Sequence, residues 1–178
     1  MKKALINYES LKKTGLWYIE RYAASTQSLR RVLRRKVAKA GHQDALDASQ
    51  IDDWINSIVN RFTEIGLLND YLVAQNFCES LIRQGNSISR MRLKLSQKGF
   101  ENTTINQVVE TIEHENENVD IKAALNLARR KRLGPYRTGA REVRREHRQQ
   151  DLKIMGRAGF SYSISQQVID GMSPENEE

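Results

Sequence analysis

Arg141, Arg144, Arg145 and Arg148 stand at i, i+3, i+4 and i+7, the spacing that lines four guanidinium groups along one helix face. The run Arg129-Arg130-Lys131-Arg132 comes just before a Gly134-Pro135 turn, and Arg137 follows it. Far upstream, Arg30, Arg31, Arg34 and Arg35 make a separate basic group. Guanidinium forks donate paired hydrogen bonds to phosphate and carboxylate oxygens. The chemistry on offer is recognition of an anionic polymer, such as nucleic acid, or of an acidic protein face.

Residue patterns that would signal bond-making chemistry are missing or scattered. The chain has no Gly-x-x-x-x-Gly-Lys and no Gly-x-Gly-x-x-Gly, so neither a P-loop nor a dinucleotide cradle is expected. His42, His114 and His147 are dispersed, and Cys78 is the sole cysteine, which leaves no internal disulfide and no thiolate set for zinc. Glu110, Glu113 and Glu117, with His114 beside them, have a spacing that could hold a divalent ion for phosphodiester hydrolysis, but a solvated acidic helix end is the simpler reading. The expectation is a protein without cofactor, metal or enzymatic activity. Cys78 next to Phe77 reads as a small buried hydrophobe. Trp17 and Trp54 read as core anchors, with base stacking the lesser alternative.

The charge is unevenly placed. The chain has 178 residues, 29 Lys and Arg against 22 Asp and Glu, and a net charge of +7. Residues 122–148 hold ten basic residues against only Glu142 and Glu146, enough to supply the basicity of the whole chain. Residues 28–40 add Arg30, Arg31, Arg34, Arg35, Lys36 and Lys39 with no acid. By contrast, residues 101–120 contain six acids and no Lys or Arg, and 172–178 reads as an acidic disordered tail. A hydrophobic content of 39% and a mean hydropathy of −0.66 suit a modest core and not a membrane span. Met1-Lys2-Lys3 begins like a signal peptide, but Asn7, Tyr8, Glu9 and Ser10 interrupt any apolar core, so a cytoplasmic protein is expected.

The elements that must carry these side chains are helical. Proline occurs only at Pro135 and Pro174, and Leu, Ala, Arg, Lys, Gln and Glu fill long stretches between isolated glycines. Leu29, Val32, Leu33 and Val37 form one apolar stripe, as do Ile55, Ile58, Val59 and Phe62, Val73, Phe77 and Leu81, and Ile105, Val108, Val109 and Ile112. These elements recur. Ser25, Leu29 and Leu33 return as Ser87, Met91 and Leu95 at an offset of 62, while Ile55, Ile58 and Val59 return as Ile105, Val108 and Val109 at an offset of 50. The first unit therefore has 12 extra residues between its two halves, and residues 41–50 are the expected insertion. A third copy shows where Lys98-Gly99-Phe100 with Val108-Val109 is echoed by Ala158-Gly159-Phe160 with Val168-Ile169, at an offset of 60.

Each unit therefore reads as helix, helix, Gly-Phe turn, helix, the glycine giving a left-handed cap and the phenylalanine plugging a small core. The expected class is all-α, an elongated, curved array of three tandem three-helix repeats. The expected division is a lead segment over 1–15, repeats over 16–68, 69–117 and 118–171, and the tail over 172–178.

Gly66-Leu67-Leu68-Asn69-Asp70, followed by Arg90-Met91-Arg92-Leu93-Lys94-Leu95-Ser96-Gln97-Lys98-Gly99-Phe100, resembles the central motif of the RecX family of recombination regulators. Ser25, Leu29 and Leu33 resemble that family's first repeat, and the residues from Leu127 through Pro135 to Arg137, with Gly159-Phe160, resemble its third. The likeness runs from about residue 16 to 169; Tyr71-Leu72-Val73 after the aspartate and Val37 in place of a glycine depart from it. It implies a modulator of RecA, a monomer that binds in the groove of the RecA–DNA filament and suppresses its ATPase, strand-exchange and co-protease activities in DNA repair and the SOS response. Single- and double-stranded DNA would be weak, salt-dependent partners. The basic residues named above are the candidates to touch the filament or its DNA.

Overall fold

A computed structural model of the chain describes residues 6–40, 47–139 and 141–171. Most of the expected insertion over 41–50, and the tail over 172–178, lie outside the described residues. The described residues form nine α-helices and no strand, in agreement with the expected all-helical class. In order these are α1 (Tyr8–Arg21), α2 (Thr26–Ala40), α3 (Ala48–Glu64), α4 (Asp70–Arg83), α5 (Ile88–Lys98), α6 (Asn102–Glu115), α7 (Val119–Lys131), α8 (Arg141–Arg157) and α9 (Tyr162–Asp170), with a short 3-10 turn over Gly134–Tyr136 between α7 and α8. None is long and apolar enough to cross a membrane. The helix α1 runs through the boundary placed at 15/16.

The chain divides into two compact units, one of Met1–Ala74 with Ser96–Thr104, the other of Gln75–Leu95 with Ile105–Glu178. In the first, α1, α2 and α3 pack through Leu11, Leu29, Leu33, Ile55, Ile58, Val59 and Phe62. The helix α1 starts where sequence dictates: the Asn7 side chain accepts from the Ser10 amide at 2.8 Å, and the Ser10 hydroxyl accepts from the Asn7 amide at 3.2 Å, a reciprocal cap. The second unit packs α7, α8 and α9 through Ala123, Ala124, Leu127, Leu133, Met155, Phe160 and Val168.

Each unit contains the same local junction. In the first, the backbone amide of Thr26, opening α2, donates to Asp70 Oδ1 at 2.7 Å, and the Ser25 hydroxyl accepts from the Ser28 amide at 3.2 Å. In the second, the amide of Ile88, opening α5, donates to Asp120 Oδ1 at 2.8 Å, and the Ser87 hydroxyl accepts from the Arg90 amide at 3.2 Å. An aspartate from the start of a later helix thus supplements the serine cap, and negative charge at a helix N-terminus is favourable. The Gly-Phe turns answer the same positions. Gly99 (φ +86°) and Gly159 (φ +91°) are left-handed, and a Cβ on Gly99 would meet Gln27 Cγ at 2.7 Å while one on Gly159 would collide with the Ser87 hydroxyl. Phe100 and Phe160 are both buried. With no glycine at Val37, α2 continues to Ala40 and is 15 residues long against 11 for α5.

Two expectations about the core need correction. Trp17 is 49% exposed: α1 turns Leu11 and Gly15 inward, so Trp17 falls off the buried stripe, while Trp54 packs against the first unit's core. In α4 the buried positions are Ala74, Cys78 and Leu81, with Val73 and Phe77 only half-buried, so the expected stripe holds at Leu81 and is one residue off at the other two positions. Burial pushes the Cys78 thiol up to about 11.

Candidate polyanion-binding surfaces

The second unit holds most of the basic candidates. They are positioned by the turn that joins α7 to α8. Gly134 adopts φ +50°, and a Cβ there would lie 2.7 Å from the Ile169 carbonyl oxygen, so only glycine lets the turn press onto α9. Asp151, on α8 and fully buried, fixes the turn from the other side: its Oδ2 accepts from the Gly134 amide at 2.8 Å and its Oδ1 from the Arg137 guanidinium. Arg137, placed among the ligand-binding candidates by its sequence position, therefore has its charge compensated inside the fold. Such a carboxylate without its cation would be a buried, partly unsatisfied charge.

This turn sets the start of α8 beside the end of α9. Arg141, Arg144, Arg145 and Arg148 do share one face, and with Pro135, Ile169, Asp170 and Gly171 they line an open cleft of about 410 Å³. Arg148 is the structural member. Its Nε and Nη2 each lie 2.6 Å from an oxygen of Asp170, a fork that ties α8 to α9. Those hydrogen bonds hold the Asp170 carboxyl below its usual range and raise Arg148 above its own. Among the described residues Asp170 is the only carboxylate lining the cleft, and it is engaged by Arg148. Arg141 and Arg145 are exposed and Arg144 is half-buried, and none of the three has an ion pair among the described residues. Arg144 Nε is buried and has no hydrogen-bond partner among the described residues. These three cations, without an ion pair among the described residues, stand at the N-terminal end of α8 and add to the positive end of its dipole, so the cleft is a place where an anion is stabilised.

A second basic set ends α7. Arg129, Arg130, Lys131 and Arg132 are all exposed. Three of them lie in the last turn of α7, where cations suit the helix dipole, and Arg132 closes the helix in a left-handed conformation (φ +54°). Arg129 lies over the Tyr136 ring at 5.5 Å, its Nε donating to the Tyr136 hydroxyl at 3.2 Å, so it is the oriented member of the set. Arg130 joins two cations that sequence reading passed over. Lys94 on α5 has its ammonium pKa lowered by desolvation, then by Arg90 and by Arg130, and its Nζ donates to Asn86 Oδ1 at 2.9 Å. The one-turn spacing of Arg90 and Lys94 is the signal in the sequence that places both on one face of α5.

In the first unit the basic face of α2 is partly spoken for. Arg30 donates to Asn56 Oδ1, and Arg34 pairs with Asp52 at 3.0 Å, both ends more than half exposed. An ion pair in that setting contributes under about 1 kcal/mol and yields easily to a stronger anion. Arg31 and Arg35 are exposed and have no ion pair among the described residues. The acidic set considered for a metal does not assemble: among the described residues no three His, Cys, Asp or Glu side chains come together as a metal would need.

The described geometry is that of basic surfaces on α2, α7 and α8. No family model matches the chain. Among characterised proteins it is 38% identical over 162 residues to the regulatory protein RecX of Myxococcus xanthus (strain DK1622), covering 90% of this chain and 84% of that one. It is 30% identical over 129 residues to regulatory protein RecX of Lactococcus lactis subsp. cremoris (strain SK11), covering 71% of this chain and 45% of that longer one. A crystal structure of a regulatory protein RecX has a similar fold, with a TM-score of 0.63 at 17% identity over 92% of this chain and 72% of that one. On that identity and coverage to the Myxococcus protein, the chain belongs to the RecX family of regulatory proteins.

Proposed function

We propose that this protein is a non-enzymatic regulator that binds the RecA–DNA filament in the cytoplasm and inhibits RecA's ATPase, recombinase and co-protease activities. The observation that carries the reading is the cleft on α8, where Arg141, Arg144 and Arg145 have no ion pair among the described residues and Asp170 is occupied by Arg148. Uncompensated arginines around a shallow cleft suit phosphates of the filament's DNA or carboxylates of its protein coat. Arg129, Arg130, Lys131 and Arg132, with Arg31 and Arg35 on α2, are the further contacts proposed. Arg30 and Arg34 join them once freed from Asn56 and Asp52, while Arg137 and Arg148 act by holding the cleft in shape.

The same reading takes the chain as a monomer built of three tandem repeats over 16–68, 69–117 and 118–171. What supports repetition is the serine–aspartate cap and the left-handed Gly-Phe turn that recur in both units. The test is RecA ATPase on single-stranded DNA, with the wild-type chain and with Arg141→Glu/Arg145→Glu.

A second reading, sequence-independent DNA binding through phosphates alone, is favoured by the same three arginines. It predicts that affinity for duplex DNA falls by about 0.9 log unit per phosphate contact for each tenfold rise in salt, with no recombinase present.

A further inference from the structure

The C-terminal end of α1 carries an aromatic cluster that reaches from the edge of the first unit's core into solvent and has no part in the basic cleft. Trp17 is 49% and Tyr22 53% exposed. Tyr18 packs against the first unit's core, and the Tyr22 ring lies 5.1 Å from it, tilted by 39°. Trp17 meets Tyr22 edge-on at 6.4 Å and 68°. The Arg21 guanidinium sits 4.8 Å from the centre of the Trp17 ring. Lys13, one turn before Trp17, is exposed, and Glu20 is the one acid in the segment between them and Tyr22.

An indole left half in water gives up hydrophobic stabilisation that burial would have supplied. Here three rings are held in an array anchored by the partly buried Tyr18, with a cation already stacked on one face. That is the composition of a surface that takes flat, π-faced ligands beside negative charge. We propose that Trp17, Tyr18, Arg21 and Tyr22 form a base-stacking platform for single-stranded nucleic acid, with Lys13 and Arg21 supplying charge for its backbone. Duplex DNA does not suit the site, because its bases are already stacked on one another. A single strand offers free ring faces, and a base extends the Trp17–Arg21 stack or replaces the guanidinium on it. The platform is in the first unit and is made of other residues than the arginine cleft, so it requires nothing of the recombinase.

The test uses the full chain carrying Trp54→Phe, which leaves Trp17 as the sole tryptophan and its emission as the reporter. Oligo(dT) is titrated at fixed salt, and beside it a strand of equal length with abasic sites. Oligo(dT) should quench Trp17 and the abasic strand should not. By anisotropy in the otherwise wild-type chain, Trp17→Ala should weaken oligo(dT) binding by about 5- to 150-fold, leave abasic-strand binding unchanged, and leave the salt slope unchanged, since stacking releases no counterions. Trp17→Phe, which keeps a ring, should retain most of the affinity. Equal quenching by both strands, an equal loss on both strands in Trp17→Ala, or unchanged oligo(dT) affinity would overturn the proposal, as would a Trp17 response to a protein partner with none to oligo(dT). Because no RecA is present, a negative result leaves filament inhibition untouched, and a failure of inhibition leaves this result untouched.

Discussion

Replacing Arg137 with alanine should unfold the second unit early without touching the exposed cations of the cleft. Asp151 is fully buried, and its two oxygens are satisfied by the Gly134 amide at 2.8 Å and by Arg137, whose side chain is 22% exposed. Taking away the guanidinium leaves a carboxylate with one hydrogen bond and no counter-charge in the interior, a change that costs about 3–5 kcal/mol. In a chain of this length each kcal/mol moves the melting temperature by about 2–4 °C, so a fall on the order of 10 °C is expected. Differential scanning calorimetry and urea unfolding measure it. Arg137→Lys, which keeps the charge and loses the fork, should fall between. Arg137→Ala/Asp151→Ala, which removes both charges, should recover part of the loss. A melting temperature within a degree of wild type, together with lost ligand binding, would refute the reasoning: Arg137 would then be a contact residue and Asp151 a bystander.

Cys78, with its thiol at about 11 and no exposed surface, should resist a thiol reagent at pH 8 in the folded chain and react once in denaturant; full reaction in the native protein would show that α4 opens readily. Asp170 is held below its ordinary 3.8 by Arg148, so it contributes stability above that value and loses the contribution as pH falls through its folded-state titration. Asp170→Asn should therefore flatten the acid side of the stability curve below pH 3.8, by a modest amount because the pair is partly exposed; an unchanged acid limb would remove Asp170 from the account. Phe100→Ala should cost about 3–5 kcal/mol in urea unfolding, given that the ring is buried, and a loss under about 1 kcal/mol would mean the Gly-Phe turn is not a core plug.

Much of the helical layout is legible in the sequence because apolar spacing and burial are the same fact seen twice. Leu29, Leu33 and Val37 are read as a stripe and found buried, as are Ile55, Ile58, Val59 and Phe62. In α4 size misleads: Val73 and Phe77 look like anchors beside Leu81, yet Ala74 and Cys78 are the residues buried with it. Trp17 is misplaced for a related reason, since a tryptophan looks like core wherever it occurs, and only the rotation of α1 set by Leu11 and Gly15 reveals that it faces water.

The basic candidates show where a one-dimensional reading stops. A run of arginines indicates that cations are concentrated, but not which are already neutralised. The partners are distant in sequence: Asp151 lies 14 residues from Arg137, and Asp170 lies 22 from Arg148. Tertiary folding alone separates these two from Arg141, Arg144 and Arg145, which look identical to them in sequence. Conversely, Arg90 and Lys94 gain interest only because α5 brings them to Arg130. The serine–aspartate caps were half visible: the Ser25 and Ser87 repeat is plain in sequence, while the supporting roles of Asp70 and Asp120 need the fold.

The most direct measurement is RecA ATPase on single-stranded DNA, titrated with the wild-type chain and with the Arg141→Glu/Arg145→Glu variant at two salt concentrations, each variant's melting temperature recorded alongside. The account predicts saturable inhibition by the wild type and loss of most of it in the variant, with little change in melting temperature, since exposed unpaired charges contribute little to folding. A wild-type chain that leaves the ATPase unaffected, or a folded variant that inhibits as well as the wild type, would contradict it.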